Sequence, residues 1–145
     1  MIPDKSNIQF TENEVDKVFQ KLVSSDTELQ KFYETYLIEE YKGNLFDRLN
    51  YYDIARIADF IKEKYKIHQT QNFEAFFKNI EDVFESCDQY VGELIIIGLF
   101  EGIQNEGSTE INYHSGFDKW LKPLSKKSWD ELIDFWEGKK WRNYK

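Results

Sequence analysis

The chain has 145 residues, of which 41% are hydrophobic and 17% aromatic. This composition fits one globular domain with an aromatic-rich core and excludes a disordered chain. The net charge is −8, and four of the basic residues lie within 138–145, so residues 1–137 carry 15 basic and 27 acidic side chains. A body this acidic repels nucleic acid and anionic membranes and attracts basic partners, although the charge could also serve solubility alone.

Cysteine usage and the N-terminal residues limit the environment in which the chain works. Cys87 is the only cysteine, which excludes an internal disulfide and a cysteine-rich zinc site. The first ten residues, MIPDKSNIQF, do not combine a basic region with an apolar run, so they do not read as a signal peptide. The longest apolar run, Leu94–Phe100, is too short to cross a bilayer. We therefore expect a cytoplasmic protein without membrane contact.

Apolar residues at helical spacing predict three helices in the first half of the chain. The first covers about 12–24 and begins at a capping box formed by Thr11 and Glu14. The second begins at Asp26 or Thr27 and ends at Gly43, a typical C-cap residue. After a short turn over 45–49, the third helix has an apolar stripe of Ile54, Ile57, Ala58, Ile61 and Tyr65.

Two further helices are predicted in the centre of the chain. The fourth has the most regular stripe, which consists of Phe73, Phe76, Phe77, Ile80, Val83, Phe84 and Cys87. Asp88 caps the fifth, over about 89–105, which is apolar around most of its circumference and therefore buried. Gly98 and Gly102 would let a neighbouring helix approach it closely. The alternative is a strand at Leu94–Ile97, because three successive isoleucines favour sheet, but no second run could pair with it.

The last third of the chain predicts a polar loop followed by two helices. The loop covers 105–115, and a short helix containing Phe117 and Trp120 ends near Pro123. A second capping box at Ser128 opens the last helix, which stops at Gly138. The expected fold is therefore all-α: a single domain over 1–145 with six to seven helices, packed as helical hairpins around a buried helix near 89–105.

A search for catalytic groups finds no recognisable constellation. His68 and His114 are the only histidines, neither lies in a metal-ligand motif, and both read as surface residues. Cys87 continues the apolar stripe of helix 4 and reads as a small core residue. No phosphate-binding glycine loop, GxSxG or CxxC sequence is present. We expect no catalytic residues, no metal and no cofactor. The alternative is an enzyme or metal-binding protein that uses two of the many carboxylates.

Acidic residues concentrate in the fourth helix and the start of the fifth. The range 73–105 contains seven acids and one base, Lys78, and several of the acids share a face opposite the phenylalanines. A solvated helix face would explain this pattern, but a cationic partner would explain it as well. The predicted partner-binding residues are Glu81, Asp82, Glu85 and Asp88.

The C-terminal tail alternates aromatic and basic residues. Trp136, Trp141 and Tyr144 are interleaved with four cations, a pattern that can bind single-stranded nucleic acid by stacking. The acidic body opposes such binding, and packing of the tail onto that body is the simpler interpretation. We therefore predict no direct contact with nucleic acid.

The segment from Phe73 to Gly138 resembles a family of small helical bacterial proteins. Two stretches carry the resemblance, GLFEGIQNE at 98–106 and a spaced pattern of Pro123, Leu124, Ser125, Trp129, Phe135, Trp136 and Gly138. Members of that family are met beside polymorphic toxins, including those of contact-dependent inhibition systems, as immunity proteins. The resemblance implies a helical fold and a protein partner.

Charge and resemblance together predict a toxin inhibitor rather than an enzyme. Nuclease toxins are basic because they bind phosphates, and an acidic inhibitor can be steered onto the cationic cleft and cover it. The expected function is therefore that of an immunity protein that neutralises a cognate toxin, a basic nuclease. The alternatives are a helical adaptor or regulator outside toxin systems and the carboxylate-dependent enzyme.

Overall fold

The computed structural model describes residues 5–42, 48–105 and 110–144, and in these ranges the chain is all-helical without a strand. The first four helices are α1 (Lys5–Val23), α2 (Thr27–Tyr41), α3 (Asn50–Lys66) and α4 (Phe73–Ser86). Three segments, Gln89–Glu93, Leu94–Phe100 and Glu101–Gln104, follow without a break and together form α5. Helix α6 (Pro123–Glu137) and a 3-10 helix (Lys139–Tyr144) complete the chain. None of the helices within the described ranges is long and apolar enough to cross a membrane.

Helix α5 is the centre of the core, as its sequence predicted. Leu94, Ile95, Leu99 and Phe100 are fully buried, and the helix packs against α3 and α6. The strand alternative at Leu94–Ile97 is wrong. Instead, Leu94–Phe100 is a π-helix, and the N–H of Glu101 donates to the carbonyl of Ile96, five residues back. Such wide turns inside α-helices are rare and often lie at functional sites.

Two glycines allow α3 to approach α5, which confirms the role predicted for them. A Cβ atom at Gly98 would lie 2.4 Å from Ile54 Cγ2, and one at Gly102 would lie 2.9 Å from the Cβ of Ala58. Both distances are shorter than side chains tolerate, so only glycine fits at this crossing. The close contact fixes the two helices rigidly against each other.

The boundaries of the first two helices agree only partly with the sequence. Helix α1 begins at Lys5, so Thr11 and Glu14 lie inside the helix and do not cap it. The sequence between them and Lys5 contains neither proline nor glycine, so nothing interrupts the helix there. Asp26 does cap α2, because its side chain accepts from the N–H groups of Glu28 and Leu29. The predicted cap at Gly43 and most of the turn over 45–49 lie outside the described residues.

The predicted short helix around Phe117 is absent, and the last helix begins earlier than expected. Residues 113–120 form successive turns, and Pro123 is the first residue of α6 rather than a terminator. Proline suits this position because its missing N–H would be unpaired there in any case. Ser128 therefore lies inside α6. Gly138 ends the helix, as expected, with a φ of 74°.

Aromatic packing explains why the turns around residue 117 are stable without a helix. The Phe117 ring lies 5.1 Å from the Trp129 ring, and the Phe73 ring lies 4.9 Å from the Trp120 ring. Trp129 also donates its indole N–H to the carbonyl of Tyr113 at 2.8 Å. Large rings bury much apolar surface, so this cluster ties the turns to α4 and α6.

Candidate functional site

The acidic residues predicted to bind a partner do not form one solvated face. Glu81 lies between α4 and α6, where its two carboxylate oxygens accept from the backbone N–H groups of Leu124 at 2.8 Å and Ser125 at 2.9 Å. An anion at this position satisfies unpaired donors and lies at the positive end of the helix dipole. Glu81 is therefore the cap of α6, a structural role that the sequence pattern did not reveal.

Asp82 and Asp88 also have partners within the chain. Asp82 is paired with Lys78 at 3.2 Å and with Lys21 of α1 at 3.6 Å. The hydrogen bond from Lys78 is the main reason why the pKa of Asp82 lies below its ordinary value. Asp88 caps α5 by accepting from the N–H of Val91 at 2.9 Å, so it belongs to a different helix from Asp82.

Glu85 and Asp88 are the exposed members of the predicted set, and Asp88 serves as a cap. The face of α4 is thus less uniformly charged than its spacing suggested, because Lys21 and Lys78 approach Asp82, and Lys122 approaches Glu74. Contact of these four acids with a partner stays a prediction, and Glu85 is the one whose carboxylate faces solvent without serving a cap or a described ion pair.

A shallow cleft of about 390 Å³ lies beside this face, between α1 and the junction of α4 with α5. Lys17 and Lys21 line one side, Asp82 and Asp88 line the other, and Cys87 lies among them. Burial and the charge of Asp88 raise the pKa of the Cys87 thiol, which keeps it protonated rather than activated as a nucleophile. Cys87 is half-buried against the core, consistent with its predicted structural role.

A buried polar network joins the end of α2 to the start of α3. Asp53 is fully buried and accepts from the hydroxyls of Tyr36 at 2.7 Å and Tyr41 at 2.6 Å. Arg48 donates to the same carboxylate at 3.1 Å and to the Tyr33 hydroxyl at 2.7 Å. A charge buried this deeply is stable only because each of its oxygens has a partner.

The network extends to α1 and to the backbone, so it fixes a corner of the molecule. Arg48 is also paired with Asp16, and its guanidinium lies 4.8 Å from the centre of the Phe19 ring. The Tyr41 hydroxyl accepts from the N–H of Leu49 at 2.9 Å. These contacts tie α1, the end of α2 and the start of α3 to one another through side chains.

The histidines and the C-terminal tail contribute no metal site in the described part of the chain, where no group of three potential ligands comes together. His68 is exposed, with a φ of 60°. His114 is hydrogen-bonded to Glu137 at 2.9 Å and stacks on Trp141 at 5.3 Å.

The C-terminal tail is held by Trp141, which is buried and donates its indole N–H to Asp134 at 2.8 Å. The tail therefore packs onto the body, as predicted.

The sequence from residue 19 to residue 137 matches the family described as Domain of unknown function (DUF7674). The chain belongs to this family. The matched range includes Arg48, Asp53, Glu81 and all of α5, whereas the 3-10 helix of the tail follows it. No curated protein and no solved structure matches the chain.

Sequence reasoning missed the buried network of this DUF7674 chain. One signal was present, since Asp53 stands four residues before Ile57 and thus on the apolar side of helix 3, where an acid is out of place. Its partner Arg48 carries no such signal, because it lies outside the helices and no spacing rule connects it to Asp53. The pairing depends on how the helices meet.

Proposed function

We propose that the chain is an immunity protein that binds a cognate bacterial toxin in the cytoplasm and neutralises it by covering its active cleft. The toxin that fits best is a basic nuclease, since the body of the chain has a net charge of −12 over residues 1–137. Opposite charge accelerates the encounter with such a partner. The resemblance of the C-terminal half to toxin-associated proteins supports the same proposal.

The observation that carries this proposal is the charge at the end of α2. Glu39 and Glu40 are exposed in its last turn, and that turn contains no basic residue. The C-terminal end of a helix is negative, so two acids there lower stability. Ile38, which precedes them, is 70% exposed. Exposed acids at this helix end add to the negative field that attracts a cationic protein.

Co-expression tests the proposal directly. The C-terminal domain of a secreted toxin encoded beside this gene would be produced in a bacterial host with and without the chain. We expect the toxin domain alone to stop growth and the chain to restore it, with a complex that survives gel filtration. Continued killing in the presence of the folded chain, or failure of the two proteins to associate, would contradict the proposal.

Two measurements separate the alternatives from the proposed function. Stoichiometric zinc, iron or manganese in the purified protein would support the carboxylate-dependent enzyme. Tight binding to a bacterial protein that has no toxic activity would support the adaptor. Neither result is expected if the chain is an immunity protein.

A further inference from the structure

A cluster of exposed tyrosines lies where the start of α3 meets α5. Tyr51 and Tyr90 are both exposed, and their rings meet edge to face with centroids 6.3 Å apart. The Asn50 amide donates to the Tyr90 hydroxyl at 3.1 Å. Glu93 and Ile97 are exposed on the same helix as Tyr90. We call Tyr51, Tyr90, Glu93 and Ile97 the tyrosine face.

The tyrosine face stands on a rigid base. The Tyr51 ring packs beside Gly98, where a Cβ atom would lie 3.4 Å from its Cδ1 atom, and Gly98 itself lies against Ile54. Ile97 belongs to the π-helical segment, whose widened turn presents it to solvent while Ile95 and Leu99 stay buried. Side chains held in place before binding lose little entropy on contact, which favours recognition.

The chemistry of this face fits one kind of partner. Exposed tyrosine rings bind cations through their π-electrons, and arginine can stack on a ring and pair with a neighbouring carboxylate at once. The face offers such a carboxylate in Glu93. Burial is the main reason why the pKa of Tyr51 is raised, and the neighbouring Tyr90 and Glu93 add to the shift. The chain itself stacks Arg56 on Tyr52 at 5.3 Å in the same way.

We propose that the tyrosine face is the docking site for an arginine-bearing surface of a basic partner protein. An arginine of the partner stacks on Tyr51 or Tyr90 and pairs with Glu93, while Ile97 covers its apolar stem. The proposal rests on the proposed function for the identity of that partner, the toxin, but its chemistry can be tested without the toxin. Tyrosine and arginine are both enriched among the residues that dominate protein interfaces.

The first experiment uses a hexa-arginine peptide as the probe and the full-length, ¹⁵N-labelled chain at low salt. We expect the largest amide shift changes at residues 51, 90, 93 and 97, and weaker binding of a hexa-lysine peptide. Tyr51→Ala with Tyr90→Ala should weaken hexa-arginine binding by roughly 5–30-fold, which corresponds to two exposed cation–π contacts. Shift changes confined to Glu39, Glu40 and Glu85, or unchanged affinity of the double variant, would overturn the proposal.

Phe135 and Trp136 provide the matched control. They form an exposed aromatic pair at 5.3 Å, and the two acids beside them, Asp134 and Glu137, are already bonded within the chain. Phe135→Ala with Trp136→Ala should leave hexa-arginine binding unchanged. Glu93→Lys keeps both tyrosine rings, so it tests the face even if the double tyrosine variant folds poorly, and it should weaken binding as well. Equal losses in the control pair and the tyrosine pair would also overturn the proposal.

The co-expression test separates this inference from the proposed function. If the chain protects the host and the double tyrosine variant protects equally well, the docking site lies elsewhere although the function stands. If the chain does not protect at all, the function is wrong and the peptide experiment alone decides the docking chemistry. Sedimentation of the chain alone tests whether a second copy of the chain, rather than a basic partner, binds the tyrosine face. A dimer that dissociates when the tyrosines are replaced would overturn the proposal.

Discussion

Glu81 holds the first turn of α6 in place, since its carboxylate oxygens accept from the N–H of Ser125 at 2.9 Å and from that of the preceding residue at 2.8 Å. The two residues are 44 positions apart in the sequence. Helix caps are normally supplied by the residue that precedes the helix, and here that residue is Lys122, which has no acceptor in its side chain. A contact from a distant helix therefore replaces the cap that the residue before α6 would normally supply.

Replacement of Glu81 should cost stability in the free protein. Glu81→Ala leaves two backbone donors of α6 without their acceptor, so we expect a loss of about 1–2 kcal/mol in the free energy of unfolding, as for other lost caps. Urea denaturation followed by circular dichroism measures this. Glu85→Ala, one turn further along α4 and exposed, is the matched control and should stay within about 0.5 kcal/mol. Equal effects of the two substitutions would contradict the capping role.

Loss of Arg48 should destabilise the fold far more than loss of a half-exposed arginine. Arg48→Met leaves the buried carboxylate of Asp53 without its cation, so we expect a loss of about 3–5 kcal/mol. Arg56→Met is the control, because Arg56 is paired with the half-exposed Asp59 at 3.0 Å and exposed pairs contribute about 1 kcal/mol at most. Urea midpoints of the two variants give the comparison. A loss below 1 kcal/mol for Arg48→Met would mean that the network contributes little to stability.

An added methyl group should have opposite effects at two glycines of α5. Gly98→Ala would force a Cβ atom to 2.4 Å from Ile54, and we expect a loss of about 1–3 kcal/mol from overpacking. Gly92→Ala meets only the Cys87 sulfur at 3.6 Å, an ordinary contact. Because alanine is the better helix former by about 1 kcal/mol, Gly92→Ala should be neutral or stabilising. Thermal unfolding of both variants tests this, and a stabilised Gly98→Ala protein would refute the close crossing.

Alkaline pH should destabilise the protein through the tyrosines whose pKa values are raised in the folded state. The hydrogen bond to Glu137 and burial raise the pKa of Tyr113 to about 12 from an ordinary value of 10.0. Burial also raises the pKa values of Tyr33, Tyr36 and Tyr41. A raised folded pKa means that the stabilisation is complete below pH 10 and is lost as the pH rises toward 12, because the unfolded chain ionises first.

Melting temperatures between pH 8 and pH 12 check this expectation. We expect a fall that begins near pH 10, together with delayed ionisation of tyrosine in the ultraviolet spectrum. Tyr113→Phe should make the fall shallower, since one of the shifted groups is gone, whereas Tyr52→Phe, at an exposed position, should leave its slope unchanged. A melting temperature that stays constant across this range would show that these tyrosines ionise alike in both states.

Local patterns predicted the parts of this fold that depend on local physics. The apolar circumference of α5, the cap at Asp26 and the stop at Gly138 follow from residues within one or two turns of each other, and all three are confirmed. The predicted start of α6 at Ser128 was wrong, because a proline such as Pro123 can either end one helix or begin another. Which of the two occurs is decided by the carboxylate of Glu81 on α4, which lies 42 positions before Pro123 in the sequence. Spacing rules relate residues within a few turns of one helix, so they cannot detect this contact.

The candidate surfaces show the same limit. Spacing placed Glu81, Asp82, Glu85 and Asp88 together as acids, but it did not show that Lys21 of α1 approaches Asp82 or that Asp88 begins another helix. The tyrosine face combines residues from α3 and α5. Its two tyrosines, Tyr51 and Tyr90, are 39 positions apart in the sequence. Its members look unremarkable along the chain, and only the packing of the two helices makes them neighbours.

The π-helical turn of α5 has a consequence for how the gene can change. A turn closed five residues back holds one residue more than a turn of α-helix, so deletion of a single codon within Leu94–Phe100 would restore ordinary α-helix without breaking it. The side chains before and after that turn would keep nearly their present orientations, because the widened turn already accommodates one extra residue. Deletion of one residue from a regular helix such as α3 would instead rotate every later side chain by about 100°. Loss of one codon should therefore be tolerated better within Leu94–Phe100 than within α3.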